Sequence, residues 1–322
     1  MTLEDLRVFV AVCEQNSLSA VARSHARTQP AISQHIRRLE RELDVALLER
    51  SVRGVTPTAA GGMLLDSARE SLAALRNGIA SIDELQGRAR RSLRIATGGT
   101  SVRHFLRDSV VSFRQRHADA RLEFVPANST ARCLELVRGG DADLGLVTVH
   151  GQQPGVEQMV LAQQEVRLLV SRDHALSNRR RLKIRDLDGL SVVALGDQTT
   201  SAGHLEEAFE HQGIQVETST TVDDFDTACV FVELGLGCAF VPAVHAASFV
   251  HTARVHAVCV EALPALSIGL AAKRFNSLAG ISHEFIACFL DELDRLGQLP
   301  GVKKLTASVA ELRSKLSGVT RQ

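Results

Sequence analysis

The sequence predicts a multidomain protein: a small all-α head with a hairpin appended, one long helix, and a two-lobed α/β body. Three observations predict it. Residues 17–44 read as two short helices around a tight turn. Residues 58–86 place an apolar residue at every third or fourth position. Beyond Ser92, strand-like and helical segments alternate, the pattern of sheets covered on both faces by helices.

The head begins with the stripe Leu6, Phe9, Val10 and Cys13, spaced as one helix face. Ser17 then caps a second helix carrying Leu18, Val21 and Ala22. A third opens at Thr28, an N-cap type, with Pro30 in the first turn, where a missing N–H costs nothing. Ile32, Ile36, Leu39 and Leu43 face a core, and Gln29, Ser33, Gln34, Arg37 and Arg38 fall largely on the other side. That second face carries amide, hydroxyl and guanidinium groups with no acid before Glu40. Gln and Arg bond bidentately to adenine and guanine edges in the major groove, and Ser reaches bases or phosphates. Following a helix and a turn, such a face is placed to read DNA. The next run, LLERSVRGVTPTAAG, reads as a two-stranded wing from which Arg50 and Arg53 project toward phosphate or minor groove. From Ala20 to Arg53 the basic surplus is three charges, a monomer with which binds weakly, so two heads are needed.

In the long helix Leu65, Ala68, Leu72, Leu75, Ile79 and Ile82 make an a/d seam flanked by charges, with Leu65, Leu72, Leu75 and Ile79 as candidate dimerisation residues. Packing on its own head is the alternative, but a symmetric partner better explains so narrow a stripe. Gly61 and Gly62 weaken the helix start and are expected to let the head pivot. The segment Gly87–Ser92 marks a hinge.

Strands are expected at 92–98, 121–126, 142–149, 165–171, 190–195, 216–222, 237–242 and 267–273, with helices at 102–117, 130–138, 201–212, 224–234 and 277–296. Two such cycles joined by two crossing segments describe two lobes and a cleft. Ligands sit at strand C-termini and helix N-termini, so the turns with Thr100 and Ser101, with Asn128 and Ser129, and with Thr199 and Thr200 are candidate effector contacts. Each is also an ordinary cap composition. Arg103, His104 and His204 lie close to these turns in sequence and are better read as solvated. Asp197, Asp223 and Asp224 equally repel anions or cap helices, so an anionic effector stays open.

The remaining composition is that of a globular protein, with net charge zero, 45% hydrophobic and 23% charged residues, so nucleic-acid affinity must be local. No signal-like leader and no membrane-length apolar run is evident, which gives the expectation of a cytoplasmic protein without membrane partners. The six cysteines are scattered without CxxC, small buried hydrophobes more than a redox pair, although Cys229 and Cys238 lie nine residues apart. No metal spacing, cofactor motif or catalytic constellation such as GxSxG, P-loop or HExxH occurs, so neither an enzyme nor a metal site is expected.

The run TQPAISQHIRRLERELDVALLERSVRGVTPTAAG resembles the winged helix-turn-helix of LysR-type transcriptional regulators, and the similarity continues to about Leu296. His25 and Arg27 depart from the family's usual core leucine and aliphatic turn residue. A partly buried, ordinarily packed His25 is the expectation. The resemblance implies a bacterial regulator with a winged helix-turn-helix over 1–57, a linker and dimerisation helix with hinge over 58–91, and a bilobed, type 2 periplasmic-binding-protein-like effector domain over 92–299. Lobe I would comprise about 92–161 and 267–299, and lobe II about 162–266. It further implies promoter DNA and a small-molecule effector as partners, a homodimer and homotetramer, and effector contacts best matched by Thr100 and Ser129, with Thr199 and Thr200 weaker. A thiol-based redox regulator of the same family, or a DNA-binding regulator without effector, are the alternatives. Residues 300–322 exceed the family's usual end and carry Lys303, Lys304, Arg313, Lys315 and Arg321, with Leu305, Val309, Leu312 and Leu316 spaced as one helix face. This basic helical extension docks on its own body or a neighbour, or stays solvated.

Overall fold

The structure is a computed structural model that describes residues 1–51, 54–85, 92–196, 200–250, 254–305, 310–312 and 314. It divides into two compact units, Met1–Ala89 with Gly139–Asp141, and Arg90–Arg138 with Ala142–Gln322.

In the first unit three helices, α1 (Leu3–Gln15), α2 (Leu18–Ser24) and α3 (Gln29–Leu43), precede a hairpin of β1 (Leu48–Ser51) and β2 (Gly54–Pro57). Each helix starts as its cap dictates. Thr2 and Asp5 form a reciprocal capping box on α1, Ser17 accepts from the Ala20 N–H at 3.2 Å, and Thr28 accepts from the Ala31 N–H at 3.4 Å. Phe9, Val12, Val21, Ile32, Ile36, Leu39 and Leu47 share one buried core. Leu43, expected there, is 41% exposed: it keeps the helical spacing as the last residue of α3, but the core does not extend to cover it. The strands pair antiparallel from Leu48↔Pro57 to Ser51↔Gly54, which makes the wing. Gly54, at φ +123°, lies so close to the α1 end that a Cβ there would sit 2.5 Å from the Asn16 carbonyl oxygen.

The long helix α4 (Ala59–Leu85) divides its seam. Ala68 and Leu72 are buried in the head's own core, and Leu65 packs against it. Leu75, Ile79 and Ile82 are 37%, 50% and 54% exposed. The dimerisation expectation is therefore corrected for Leu72, which is buried in its own head, while Leu65 is half-buried against the same core. The pivot at Gly61 is corrected too. A Cβ at Gly61 would lie 2.0 Å from the Leu47 carbonyl oxygen, so this glycine permits close packing. The expected hinge falls largely outside the described residues.

In the second unit lobe I is a six-stranded sheet ordered β14-β6-β13-β5-β3-β4, namely β14 (Val302–Lys304), β6 (Glu157–Gln164), β13 (Leu266–Ala272), β5 (Leu144–Thr148), β3 (Ser92–Thr97) and β4 (Arg121–Pro126). Strands β3, β4 and β5 are parallel, whereas β13 runs antiparallel to both β5 and β6. Lobe II combines β11 (Ala239–Pro242), β7 (Val166–Ser171), β12 (Val255–Val260) and β8 (Arg181–Leu182) with the parallel pair β9 (Ser191–Leu195) and β10 (Glu217–Val222). Alternating strands and helices imply mostly parallel sheets, but the four- and six-stranded sheets are mixed. The chain passes from β6 to β7 and from β12 to β13 through short connections with no crossover helix, which favours antiparallel pairing. The helices are α5 (Gly99–Ser101), a π-turn over Val102–Leu106, α6 (Arg107–Arg116), α7 (Thr130–Gly139), α8 (Thr200–Gln212), α9 (Phe225–Glu233), α10 (Ala243–Val250) and α11 (Gly280–Leu296).

The C-terminal extension begins as a strand, correcting the helical expectation at 302–304. Strand β14 pairs with β6, the Leu305 N–H donates to the Leu161 carbonyl at 2.9 Å, and Leu312 is buried in the body core. This segment docks on its own body; Val309, Arg313, Lys315, Leu316 and Arg321 lie outside the described residues.

Candidate DNA interface and effector cleft

Helix α3 presents Gln29, Pro30, Gln34 and Arg37 to solvent, with Thr28 exposed just before them and Ser33 half-buried. Pro30, Gln34, Arg37 and Arg41 line a concave face together with Glu40 and Asp44. Arg38, one of the basic residues expected to position the DNA backbone, also has a partner within the head. Its guanidinium lies 3.6 Å from Asp5, a fully buried carboxylate that also binds His35 Nδ1 at 2.7 Å and Thr2. Burial pushes the Asp5 pKa up, but the His35 and Thr2 hydrogen bonds and the Arg38 charge outweigh it, and the net shift is downward. This buried acid orients α3 on α1. Sequence reasoning missed it, although the Thr2-x-x-Asp5 capping spacing was visible. His25 is exposed at the end of α2, with Nδ1 3.0 Å from the Val21 carbonyl oxygen, so the packed-core expectation is corrected. Arg27 pairs with Glu4 at 3.4 Å. Arg50 stands in β1, its side chain outside the described residues, and Arg53 lies outside them altogether.

In the body a cavity of about 150 Å³ opens between the lobes. Lobe I supplies Gly98–Ser101, Ala127–Thr130, Cys133 and Leu146–Thr148; lobe II supplies Leu195 and Asp223–Phe225. Four expected contacts, Thr100, Ser101, Asn128 and Ser129, thus converge. Local sequence explains their placement: each turn follows a parallel strand and opens a helix. Thr130 Oγ1 donates to the Thr148 carbonyl at 3.1 Å, and Ser129 accepts from the Arg132 N–H at 3.2 Å, so Ser129 also caps α7. Thr199 lies outside the described residues, and of Thr200 only its position at the start of α8 is described.

The charged residues sort themselves. Asp224 accepts from the Thr227 N–H and hydroxyl, both at 2.8 Å, and caps α9; the backbone bond holds its pKa below the usual carboxylate range. Asp223 faces the cavity without such a bond among the described residues. Arg103, His104 and His204 do not line it. Instead the π-turn carries Arg103 to Asp226 at 3.0 Å and His104 Nε2 to Nδ1 of the fully buried His245 at 3.1 Å, contacts that cross from lobe I to lobe II. Burial, with the neighbouring imidazole and Arg103, pushes His104 down to about 4, and burial lowers His245 as well. The six cysteines are free thiols. Burial pushes Cys13 and Cys238 up to about 11, and Cys133 and Cys229 up to about 12, leaving little thiolate for oxidation.

Comparison with known proteins decides the family. The model for the LysR substrate binding domain matches residues 86–294, and that for the bacterial regulatory helix-turn-helix protein, lysR family, matches residues 3–62. The chain belongs to the LysR family of transcriptional regulators. This LysR-type regulator is 29% identical over 304 residues to the "Probable RuBisCO transcriptional regulator" of Porphyra purpurea, covering 90% of this chain and 94% of that protein. It is 26% identical to the "RuBisCO operon transcriptional regulator" of Allochromatium vinosum, covering 89% and 95%. Among solved structures, a cysteine-to-aspartate variant of full-length OxyR from Pseudomonas aeruginosa superposes with TM-score 0.65 at 19% identity over 93% of this chain and 95% of that one. Full-length CbnR with its target DNA superposes with TM-score 0.51 at 25% identity over 92% and 100%. The regulator thus pairs a DNA-binding helix-turn-helix with an effector-binding domain. Among the described residues no helix is long and apolar enough to cross a membrane.

Proposed function

We propose that this LysR-type regulator reads promoter DNA with Gln29, Ser33, Gln34 and Arg37. It responds to a small, hydrogen-bonding effector held between the hydroxyl-bearing turns of lobe I and Asp223 of lobe II. The cavity lining carries the effector reading. It contains Thr100, Ser101, Asn128, Ser129, Asp223 and Asp224, and no Arg, Lys or His among its described residues. The helix starts of lobe I favour an acceptor or anionic group, by their N–H donors and dipoles. Asp223 opposes a second negative charge and favours a donor or an amine. A ligand with an acceptor at one end and an amine or hydroxyl at the other, such as a small zwitterion, satisfies both walls. A purely anionic effector fits poorly, and the chain acts as a regulator without catalysis of its own.

Thr28 and the wing arginines Arg50 and Arg53 hold the phosphate backbone in this reading, while Leu75 and Ile79 cover each other across a two-fold axis. A dimer of such dimers spans a longer operator. A thermal-shift panel of matched dicarboxylates, diamines, zwitterions and polyols tests the effector class. Zwitterions or amines raise the melting temperature of the wild type, and Asp223→Asn removes that gain. Stabilisation by dicarboxylates alone, retained in Asp223→Asn, overturns it.

A further inference from the structure

Beside the cleft, three side chains outside the effector lining meet across the lobes. His150 follows β5 in lobe I, two residues past Thr148. His204 and Glu207 stand three residues apart on α8 in lobe II, hence on one helix face. One ligand atom from each lies within 4.8 Å of the other two. The two imidazoles meet edge to face with centroids 4.2 Å apart, and His150 Nε2 is 3.9 Å from Glu207 Oε1. His204 Nε2 is buried and has no hydrogen-bond partner. A buried ring nitrogen left unpaired is costly, and a bound ion is one way to satisfy it.

We propose that His150, His204 and Glu207 form a site for a divalent transition-metal ion that ties lobe I to lobe II. Two imidazole nitrogens and one carboxylate oxygen are a donor set for Zn²⁺ and its neighbours, and unsuited to Mg²⁺ or Ca²⁺, which take oxygen ligands. Three protein ligands leave a fourth position for water or another small donor. Tetrahedral coordination at ordinary Zn–N and Zn–O lengths needs donors about 3.3 Å apart. The present spread, up to 4.8 Å, is wider than that, so binding draws the three side chains together across the lobes. Sequence reading expected no metal site because the ligands are 54 and 57 residues from His150, although the His-x-x-Glu pair on α8 was visible as half of one.

The test uses the full-length chain stripped of metal by chelation, without DNA or effector. Calorimetric titration with Zn²⁺ should give one ion per chain at micromolar affinity. Co²⁺ in its place should give the intense visible bands of four-coordinate geometry. His150→Gln, His204→Gln and Glu207→Gln should each weaken Zn²⁺ by at least tenfold and abolish the Co²⁺ bands. Exposed His150 and Glu207 make two of these variants safe for folding, which circular dichroism verifies. Zn²⁺ should also raise the melting temperature of the wild type and leave that of His150→Gln unchanged. No saturable binding, or equal affinity and stoichiometry in all three variants, overturns the proposal. The measurement contains no effector, so its failure leaves the effector reading standing, and the ligand panel can fail while zinc binds.

Discussion

The DNA-binding head and the effector cleft are built on opposite plans. Every side chain proposed to read bases lies within nine residues on one helix, α3, oriented by caps and by the Asp5 contact with His35 and Arg38. The cleft is assembled from turns at 98–101, 127–130, 146–148, 195 and 223–225, brought together only when both lobes have folded. A contiguous surface tolerates damage elsewhere in the chain, whereas a convergent one reports on the whole body.

Removing the head's core should show this difference most strongly. Phe9 is fully buried, so Phe9→Ala should cost about 3–5 kcal/mol and unfold the head. Denaturant unfolding followed by circular dichroism should then show an early transition for the head and an unchanged one for the body, with operator binding lost. A single shifted transition would mean that the two regions are one cooperative unit. Next, Ile79→Ser should weaken self-association by about 1.5–3 kcal/mol per chain, read by sedimentation equilibrium, because the proposed two-fold seam would cover this half-exposed side chain. No change would return the seam entirely to the head. Arg37→Ala should lose about 1–3 kcal/mol of operator discrimination, while Arg53→Ala should weaken all sequences alike and reduce the salt slope by about 1. Equal losses on operator and random DNA would remove Arg37 from base reading.

A further effect is the pH dependence contributed by the buried histidines of the body. His104 titrates at about 4 when folded and near its ordinary value of 6.5 when unfolded. The unfolded chain therefore binds more protons between those values, and stability falls as pH is lowered from about 6.5 to 4. His245 acts in the same direction, with Arg103, Asp224 and Asp226 facing it. His104→Gln should flatten that part of the melting-temperature profile. An identical slope in the variant would assign it to carboxylates elsewhere.

The same contrast explains how much could be read beforehand. The caps Ser17 and Thr28, the helical extents of α3 and α4, and the wing hairpin all depend on neighbours a few residues away, and each is present in the structure. Leu43 and the halves of the α4 seam were misread because apolar spacing says which residues share a face and not what covers it. Leu65 and Leu72 found the head; Leu75 and Ile79 did not. In the body, β6, α10 and β12 lack a strong period. The antiparallel return of β13 between β5 and β6 is a tertiary fact with no local sign. Thr100, Ser101, Asn128 and Ser129 were legible as helix starts, but not that an aspartate from the other lobe would face them.

One consequence follows from the absence of space at Gly61. A helix whose origin is jammed against the Leu47 carbonyl behaves as a rod clamped at one end. Its 27 residues give an arm of about 40 Å, so a tilt of about 5° at the clamp corresponds to a swing of about 3.5 Å at the tip. Replacing that glycine with any larger residue would push the helix start off the Leu47 carbonyl, and the far end of the rod would carry the resulting tilt magnified.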